Sequence, residues 1–443
     1  MAKIRKETNI ADNKGKIKFG IGFVTGRKNF KDLLKTYIHN WNEQGFIKNE
    51  SVSLNLFIAY DLKYFNTKES DYRDLDHDLL DMVDTVTYID DPLLAAEKRR
   101  LIGEKIINSK QTELLFGEGY GRKRNAVLYF ALNQGMDYLL FMDDDEYPVA
   151  PVRIDPANIV WKGQNVLASH LKNIQNSDIT HGYHCGYISP IPNLTFNRIL
   201  KEEDFKTFIE AISNDIVDWA SIKSKMQTGG ITLADNQLLS GASEAYEIQE
   251  KQGMKFISGS NLCLNLRHPE NTFPFYNPPG ARGEDTFLST CLHKLKVLKV
   301  PCYTFHDGFL RYTQLLHGVL PGRLKPVQLQ SEFVVNRFLK ATVGWVRYKP
   351  LLMYITQPSQ YDAKIEMIYE KLLKTVPKLC RYFHTREFVG LYREFDRYHK
   401  LVRHHYEEFE ETKQAWKKIT GSLKSLKLNH GEYSFDQELR LSH

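Results

Sequence analysis

The sequence predicts an α/β fold built on a doubly wound, mostly parallel β-sheet. Strand and helix patterns alternate between residues 16 and 321, as in βαβ units, and several of the strand patterns end in polar residues. Hydrophobic residues make up 42% of the 443-residue chain, which is enough for a large core. Sheets of this kind bind ligands beyond the carboxyl ends of their strands. We therefore look for a functional site among the residues that follow the strands.

The predicted elements follow one another in a regular order. Runs of β-branched and aromatic residues predict the strands, and apolar residues at helical spacing predict the helices. In chain order we expect a strand at 16–26, a helix at 29–41, strands at 52–61 and 84–91, a helix at 124–135, a strand at 138–142, and strands at 255–266 and 297–307.

The chain divides into regions of different character. Residues 1–15 form a polar leader, 16–321 the α/β domain, and 198–255 within that domain a more polar and irregular insertion. Residues 322–443 have mixed charge and helical apolar spacing, with no evident strand pattern. We expect a helical region that packs on the α/β domain. A homodimer interface, or a basic face that rests on a membrane, are the alternatives.

Charge and cysteine content argue against several classes of protein. The 60 basic and 54 acidic residues leave a net charge of +6, which is too balanced to indicate a nucleic-acid partner. Five scattered cysteines without a CxxC pair are typical of reduced thiols in a cytosolic protein. No apolar run reaches the roughly 18 residues of a membrane span, and the N-terminus lacks the apolar core of a secretion signal. We expect a cytoplasmic protein, with peripheral contact at the inner face of a membrane as an extension of that expectation.

Four consecutive acidic residues, 143–146, directly follow the apolar strand pattern YLLFM. Dehydrating adjacent carboxylates costs several kcal/mol unless positive charge compensates. An isolated acidic run usually marks a solvated turn. At the end of a buried strand, carboxylates can instead hold Mg²⁺ or Mn²⁺ and leave the other coordination positions to substrate phosphates. The expected compensating charge is therefore a divalent cation rather than a residue of the chain.

A glycine-rich and basic segment, GEGYGRKRNA, lies one predicted helix before the acids, at residues 117–126. Its basic residues, among them Arg124, cluster where the helix begins. Backbone N–H groups at a helix N-terminus and planar guanidinium groups both suit a diphosphate. An ordinary surface loop would have the same composition, so the segment indicates a diphosphate site only if it lies beside the acids.

Two later positions add candidate groups. Glu284 and Asp285 open a short predicted helix, where the helix dipole favours acids whatever their function. The same field keeps a carboxylate ionised, as a general base must be. His306 ends the last strand pattern; such a histidine is more often structural, but in this sheet it could complete the coordination of a cation.

Taken in order, these motifs carry a resemblance. A first strand and turn, an Arg-Asn helix start, a strand that ends in Asp-x-Asp, a Gly-Glu-Asp helix start and a later histidine at a strand end occur over residues 16–312. Together they resemble glycosyltransferases of the GT-A fold, most closely the inverting family 2 enzymes that use nucleotide sugars. The absence of a QxxRW motif argues against a processive synthase that extrudes its product.

The resemblance implies a reaction and a set of site residues. A sugar would move, with inversion as the family implies, from a nucleotide-diphospho-sugar donor to a hydroxyl of a glycan or lipid-linked acceptor, in glycan or polysaccharide synthesis. The insertion 198–255 would lie on the acceptor side of this catalytic domain. Asp285, with Glu284 beside it, would deprotonate the acceptor, and Mn²⁺ or Mg²⁺ would be held by Asp143, Asp145 and His306. The donor-binding residues implied are Thr25, Asp61, Arg124, Asp143 and Asp144. The fourth acid, Glu146, leaves the metal-binding register within the cluster open.

Two other functions stay open at this point. A sugar-phosphate nucleotidyltransferase uses a similar sheet and metal, but it would need an arginine-bearing glycine-rich first turn and a Pro-Lys pair that are not evident here. A non-catalytic glycan-binding protein could retain the same fold.

Two further motifs predict nothing specific. GIGFVTG has the spacing GxGxxxG, and the next acid at a strand end, Asp61, lies well beyond the roughly 20 residues expected for a dinucleotide site. His181 and His184, three apart in a strand pattern, would point to opposite faces, so a shared metal is not expected.

Overall fold

The computed structural model describes residues 15–155, 158–214, 219–240, 243–329 and 331–440, with side chains described to residue 423. All of the predicted leader except Gly15 lies outside these residues. The described strands are β1 (Ile17–Thr25), β2 (Val52–Tyr60), β3 (Thr85–Ile89), β4 (Tyr138–Met142), β5 (Glu146–Tyr147), β6 (Val149–Arg153), β7 (Ile159–Gly163), β8 (Ile179–Gly186), β9 (Tyr246–Glu247), β10 (Leu262–Asn265) and β11 (Val297–His306).

The described α-helices cover both halves of the chain and dominate its C-terminal part. They are α1 (Phe30–Glu43), α2 (Ser70–Arg73), α3 (His77–Leu80), α4 (Asp91–Gly103), α5 (Ser109–Phe116), α6 (Tyr120–Asn133), α7 (Val166–Ile174), α8 (Glu202–Ile212), α9 (Trp219–Gln227), α10 (Glu284–Ser289), α11 (Glu332–Thr356), α12 (Tyr361–Tyr382), α13 (Gly390–Lys400) and α14 (Val402–Arg440).

A mixed, nine-stranded sheet forms the centre of the α/β region, in the order β3-β2-β1-β4-β10-β8-β11-β5, with β9 paired to β11. Strands β1 to β4 pair in parallel, and β11 is parallel to β8. The prediction of a mostly parallel sheet is wrong at β10, which runs antiparallel to both of its neighbours. The short strands β5 and β9 also pair antiparallel to β11. Strand direction depends on distant partners, so local sequence patterns did not reveal the reversal.

Helices cover both faces of this sheet, in agreement with the doubly wound prediction. Every residue of β2 and β4 is buried, which explains their nearly continuous apolar sequences. One core packs α1 and α7 against one face, and a second packs α5, α6 and α14 against the other. Helix α6 crosses β1 closely: a methyl group at Gly22 would lie only 2.5 Å from Cγ1 of Val127.

The predicted element boundaries shift in two places that matter for the site. Helix α6 begins at Tyr120 rather than at residue 124, so Arg124 lies one turn inside the helix. The strand predicted at 255–266 is reduced to β10, and the residues before it form loops beside the site.

A third core joins the C-terminal helices to the rest of the chain. It contains residues of α8, from the predicted insertion, together with α11, α12 and α13. Helix α14 returns to α5 and the face of the sheet. The helical region therefore packs on the α/β region, as expected. Among the described helices, none combines the length and the apolar character that crossing a membrane requires.

Candidate functional site

The candidate site lies where the strand order reverses. Strand β1 has β2 and β3 on one side and β4 on the other, so the carboxyl ends of β1 and β4 form a switch point. Thr25 is the last residue of β1, and Asp143 is the first residue after β4. The buried, apolar strands thus deliver the acidic cluster (residues 143–146) to the sheet edge where the sequence predicted it.

Arg27, two residues beyond β1, connects two members of the acidic cluster. Its Nε lies 2.8 Å from Oδ1 of Asp144, and its Nη2 lies 2.8 Å from Oδ2 of Asp145. The hydroxyl of Thr25 donates a 2.8 Å hydrogen bond to the other oxygen of Asp144. Burial raises the pKa of Asp144 to about 6, although Arg27 opposes the shift. For Asp145 the effect of burial is outweighed by His306 and Arg27, which lower its pKa.

Arg124 pairs with Asp143, the remaining aspartate of the cluster. Its Nη2 lies 2.7 Å from Oδ1 of Asp143, which also accepts a hydrogen bond from the hydroxyl of Tyr120. The guanidinium packs against aromatic rings, with Cζ 5.3 Å from the centroid of Phe141 and 5.4 Å from that of Phe275. Its Nε and Nη1 atoms are buried and have no hydrogen-bond partner among the described residues. Burial would lower the pKa of Arg124, but the surrounding acidic groups raise it.

Each aspartate of the cluster therefore contacts an arginine of the same chain. Two arginines of the chain therefore supply part of the positive charge beside these acids, and the divalent cation stays a prediction. Arg27 follows β1 and Arg124 lies inside α6, so both come from elements that the fold brings to the end of β4.

Glu146 is held apart from the aspartates in a buried network. Its Oε2 accepts hydrogen bonds of 2.8 Å from Ser260 and 2.7 Å from Thr304, while its Oε1 lies 3.0 Å from Nδ1 of His184. These contacts lower the pKa of Glu146 against the effect of burial. The hydroxyl of Ser260 also accepts a hydrogen bond from the backbone N–H of Asp143. This network is therefore joined to the aspartates of the cluster.

His306 ends β11 and faces Asp145. Its Nδ1 donates to the backbone carbonyl of Tyr187 at 2.9 Å, which leaves Nε2 directed at Oδ2 of Asp145, 3.5 Å away. Burial would lower the pKa of His306, but Asp145 raises it to about 9. A carbonyl that fixes one ring nitrogen and leaves the other free is the usual support for a metal-binding histidine.

A divalent cation fits this donor set in its chemistry. An imidazole nitrogen and a carboxylate oxygen are both ligands of Mn²⁺, and they face each other here. Among the described residues, however, no three histidine, cysteine or acidic side chains already converge on one point. Arg27 contacts the same Oδ2 atom of Asp145, so a cation bound at that oxygen would have to displace Arg27.

Glu284 and Asp285 lie near enough to Arg124 for its charge to affect them. They begin α10, after Gly283 in a left-handed conformation (φ 91°). Asp285 accepts the backbone N–H of Thr286 at 2.8 Å. Burial raises the pKa of Asp285, and burial together with the charge of Asp285 raises that of Glu284 to about 7. Arg124 lowers the pKa of both groups, so its charge acts on the α10 carboxylates as well as on Asp143.

Asp61 takes no part in these contacts. It follows β2, donates its backbone N–H to the carbonyl of Thr25, and accepts the N–H of Lys63 at 2.9 Å. Its carboxylate thus shapes a turn at the sheet edge beside Thr25, and no described hydrogen bond joins it to the acidic cluster.

Sequence reasoning missed Arg27, Ser260, Thr304 and His184. The position of Arg27 directly after the first strand was a usable signal, because that strand ends at the same edge. His184 was considered only as half of a metal pair with His181. The structure gives the two histidines different partners, since His181 lies 3.3 Å from the Nζ of Lys299.

No protein-family model matches the chain, and no curated protein matches it in sequence.

Proposed function

We propose that this protein is a metal-dependent glycosyltransferase of GT-A type that transfers a sugar from a nucleotide-diphospho-sugar to a hydroxyl acceptor, with inversion. One observation carries the proposal: the buried guanidinium of Arg124 pairs with Asp143 at the end of β4, and its charge also acts on the carboxylates that begin α10. A glycosyl transfer needs both sets of carboxylates at the same edge of the sheet. One set holds the donor, and the other accepts a proton from the acceptor.

The charge of the site suits a departing nucleoside diphosphate. As the glycosidic bond breaks, negative charge develops on the diphosphate oxygens, and fixed cationic donors stabilise it where it forms. Two nitrogens of Arg124 have no described partner, and aromatic rings hold its guanidinium in place. In this proposal the buried positive charge of Arg124 stabilises the diphosphate from within the protein, while Thr25, Asp61 and Asp144 line the nucleotide side.

The cation proposed at this site is Mn²⁺ or Mg²⁺. Asp145 and His306 would hold it, with Asp143 as a further oxygen ligand. When bound, it would neutralise the diphosphate as the leaving group departs.

Asp285 is the proposed general base. Its carboxylate is oriented by the N–H of Thr286 and placed beside Arg124, which favours the ionised form that accepts a proton. Glu284 shares the negative charge of the pair. A base on the face of the sugar opposite to the leaving group produces inversion of the anomeric centre.

The test is a screen of nucleotide sugars for Mn²⁺-dependent release of nucleoside diphosphate, with and without a chelator. We expect Asp145→Ala to lose both activity and donor binding. Asp285→Asn should lose activity but still bind the donor, and Asp78→Ala, an exposed change on α3, should behave like the wild type. Activity that survives thorough chelation, or an active Asp285→Asn variant, would contradict the proposal.

The same screen separates the two alternatives. Release of pyrophosphate from a nucleoside triphosphate and a sugar phosphate would instead indicate a nucleotidyltransferase. Glycan binding without turnover of any donor would indicate a non-catalytic glycan-binding protein.

A further inference from the structure

A cavity lies beside the loop that leads into α10 and contains no residue of the acidic cluster. It is a groove of about 390 Å³ between one face of α11 and the loop that precedes Glu284. We call it the α11 groove. Its lining residues are Gly280, Arg282, Asn336, Leu339, Lys340, Val343, Gly344, Arg347 and Glu387.

Two glycines make room for arginines at the inner end of the α11 groove. A methyl group at Gly344 would lie 2.7 Å from Cγ of Arg282, so only a glycine lets this side chain lie across α11. At Gly308 a methyl group would overlap Nη2 of Arg337 and lie 2.5 Å from Cε1 of His306. The packing therefore places Arg282 against α11 and Arg337 beside His306.

Three cationic side chains lie in or beside this groove; one of them, Arg337, packs its guanidinium on Phe309, with Cζ 4.6 Å from the ring centroid. Arg282, Arg337 and Lys340 form no described hydrogen bond or ion pair, and the Nε of Arg337 is buried without a partner. Arg347, farther along α11, is different: it pairs with Glu394 at 2.8 Å and donates to the carbonyl of Gly280. The groove is therefore not lined only by unpaired basic side chains, because Arg347 is bonded to Glu394 and to the carbonyl of Gly280.

The position of Arg337 is unfavourable without an anion. Burial lowers its pKa, as do the neighbouring charges of Arg282 and Arg27, while Asp145 and, more weakly, Tyr64 oppose the shift. Asp145 is already bound by Arg27 and faces His306. Arg337 is half-buried, whereas Arg282 and Lys340 are exposed. Neighbouring cations without acidic partners are stabilised when an anion binds between them.

We propose that Arg282, Arg337 and Lys340 form a subsite for an anionic group, a phosphate or a carboxylate, carried by the acceptor substrate. The inference rests on the proposed function and adds a substrate class to it. In this arrangement an acidic acceptor lies along α11, and its hydroxyl reaches the carboxylates of α10.

The acceptor fits this groove better than the donor does. Arg282 is three residues from Asp285, the proposed base, so a molecule in the groove lies next to the group that takes its proton. The nucleotide side of the site is formed by the ends of β1 and β2, which lie toward the other edge of the sheet. From Arg282 the groove continues along α11 past Lys340 to Arg347, away from the acidic cluster.

The first test measures anion binding without any donor. We expect inorganic phosphate to raise the thermal unfolding midpoint of the full-length protein, and the double variant Arg282→Gln/Lys340→Gln to lose at least half of this shift. Lys418→Gln removes an exposed lysine of α14 and should retain the full shift. An equal shift in the wild type and the double variant would overturn the subsite. Because no donor is present, this result is independent of the glycosyltransferase proposal.

The second test uses acceptors in matched acidic and neutral forms, such as uronic-acid oligosaccharides and their carboxyl-reduced counterparts. The wild type should use the acidic form with a KM about tenfold lower, and the double variant should lose this preference. A rise in donor KM larger than the rise in acceptor KM would assign the cations to the donor and overturn the proposal.

A third measurement separates the sources of the anion. Vesicles of phosphatidylglycerol that bind the wild type but not the double variant, with no preference for acidic acceptors, would mean that the cations contact a membrane surface. That outcome too would overturn the assignment to the acceptor.

Discussion

The guanidinium of Arg124 lies 2.7 Å from the carboxylate of Asp143 and is almost completely buried, with 1% of its side chain exposed. This buried pair joins α6 to the end of β4. The same arginine lowers the pKa of Glu284 and Asp285 on α10, so one cation compensates carboxylates that come from two distant parts of the chain. The charge balance of the candidate site therefore depends strongly on Arg124.

Replacing Arg124 by methionine should destabilise the protein by about 3–5 kcal/mol, because Asp143 and the α10 carboxylates would remain buried without their cation. Denaturant unfolding at pH 7.5 measures the change. Arg267→Met provides the comparison, since Arg267 pairs with Asp137 on the surface and should cost about 1 kcal/mol or less. Equal losses in the two variants would show that the buried pair contributes no more than a surface pair does.

The parts of the fold that the sequence predicted well are those set by neighbouring residues. The apolar run of β4 and the acids behind it are local features, and so is the sequence at the start of α10. The reversed direction of β10 depends on its pairing with β4 and β8, which no local pattern encodes.

The candidate site was predicted in part for the same reason. The acids, Arg124 and His306 follow recognisable patterns, although their contacts could not be foreseen. Arg337 had no signal, because it lies in a helical segment far along the chain and reaches the site only through the packing of α11 beside Gly308. The pairing of Arg27 and Arg124 with the aspartates became visible only with the tertiary structure.

The stability of the wild type should fall relative to Glu284→Gln as the pH rises. Burial and Asp285 raise the pKa of Glu284 from 4.5 to about 7, so the folded state holds this proton more tightly than the unfolded state does. The wild type and Glu284→Gln should have similar free energies of unfolding near pH 5. By pH 8 the wild type should lose about 2 kcal/mol relative to Glu284→Gln. Urea unfolding at both pH values measures the difference. The same difference in stability between the two proteins at pH 5 and pH 8 would rule out a raised pKa of Glu284.

Lys299 should give the opposite pH dependence. Its Nζ donates to the carbonyl of Gly182 at 2.7 Å and lies 4.3 Å from the ring centroid of Tyr183, and burial lowers its pKa from 10.5 to about 7. The unfolded state therefore binds more protons above pH 7, and the stability of the wild type should rise with pH. Between pH 7 and 9 we expect a gain of about 2 kcal/mol relative to Lys299→Met.

The control for Lys299 is Lys296→Met, which removes an exposed lysine just before the same strand. It should show the same pH dependence as the wild type. If Lys299→Met also follows the wild type between pH 7 and 9, the lysine is not deprotonated in the folded protein.

Gly308→Ala should impair the site without straining the backbone. Gly308 is not in the left-handed region, so alanine is acceptable to the main chain, but its methyl group would displace Arg337 and His306. Small displacements of positioned groups can cost about a hundredfold in rate. We expect donor turnover, measured as nucleoside diphosphate release, to fall at least tenfold while circular dichroism still reports a folded protein.

The matched control for Gly308 is Gly322→Ala, where a methyl group would meet nothing within 4 Å and the backbone is likewise outside the left-handed region. This variant should have wild-type activity, because it adds the same group without displacing a side chain. A fully active Gly308→Ala variant would mean that Arg337 and His306 can move without consequence. The role of α11 in the candidate site would then be refuted, since the contact at Gly308 is what brings Arg337 beside His306.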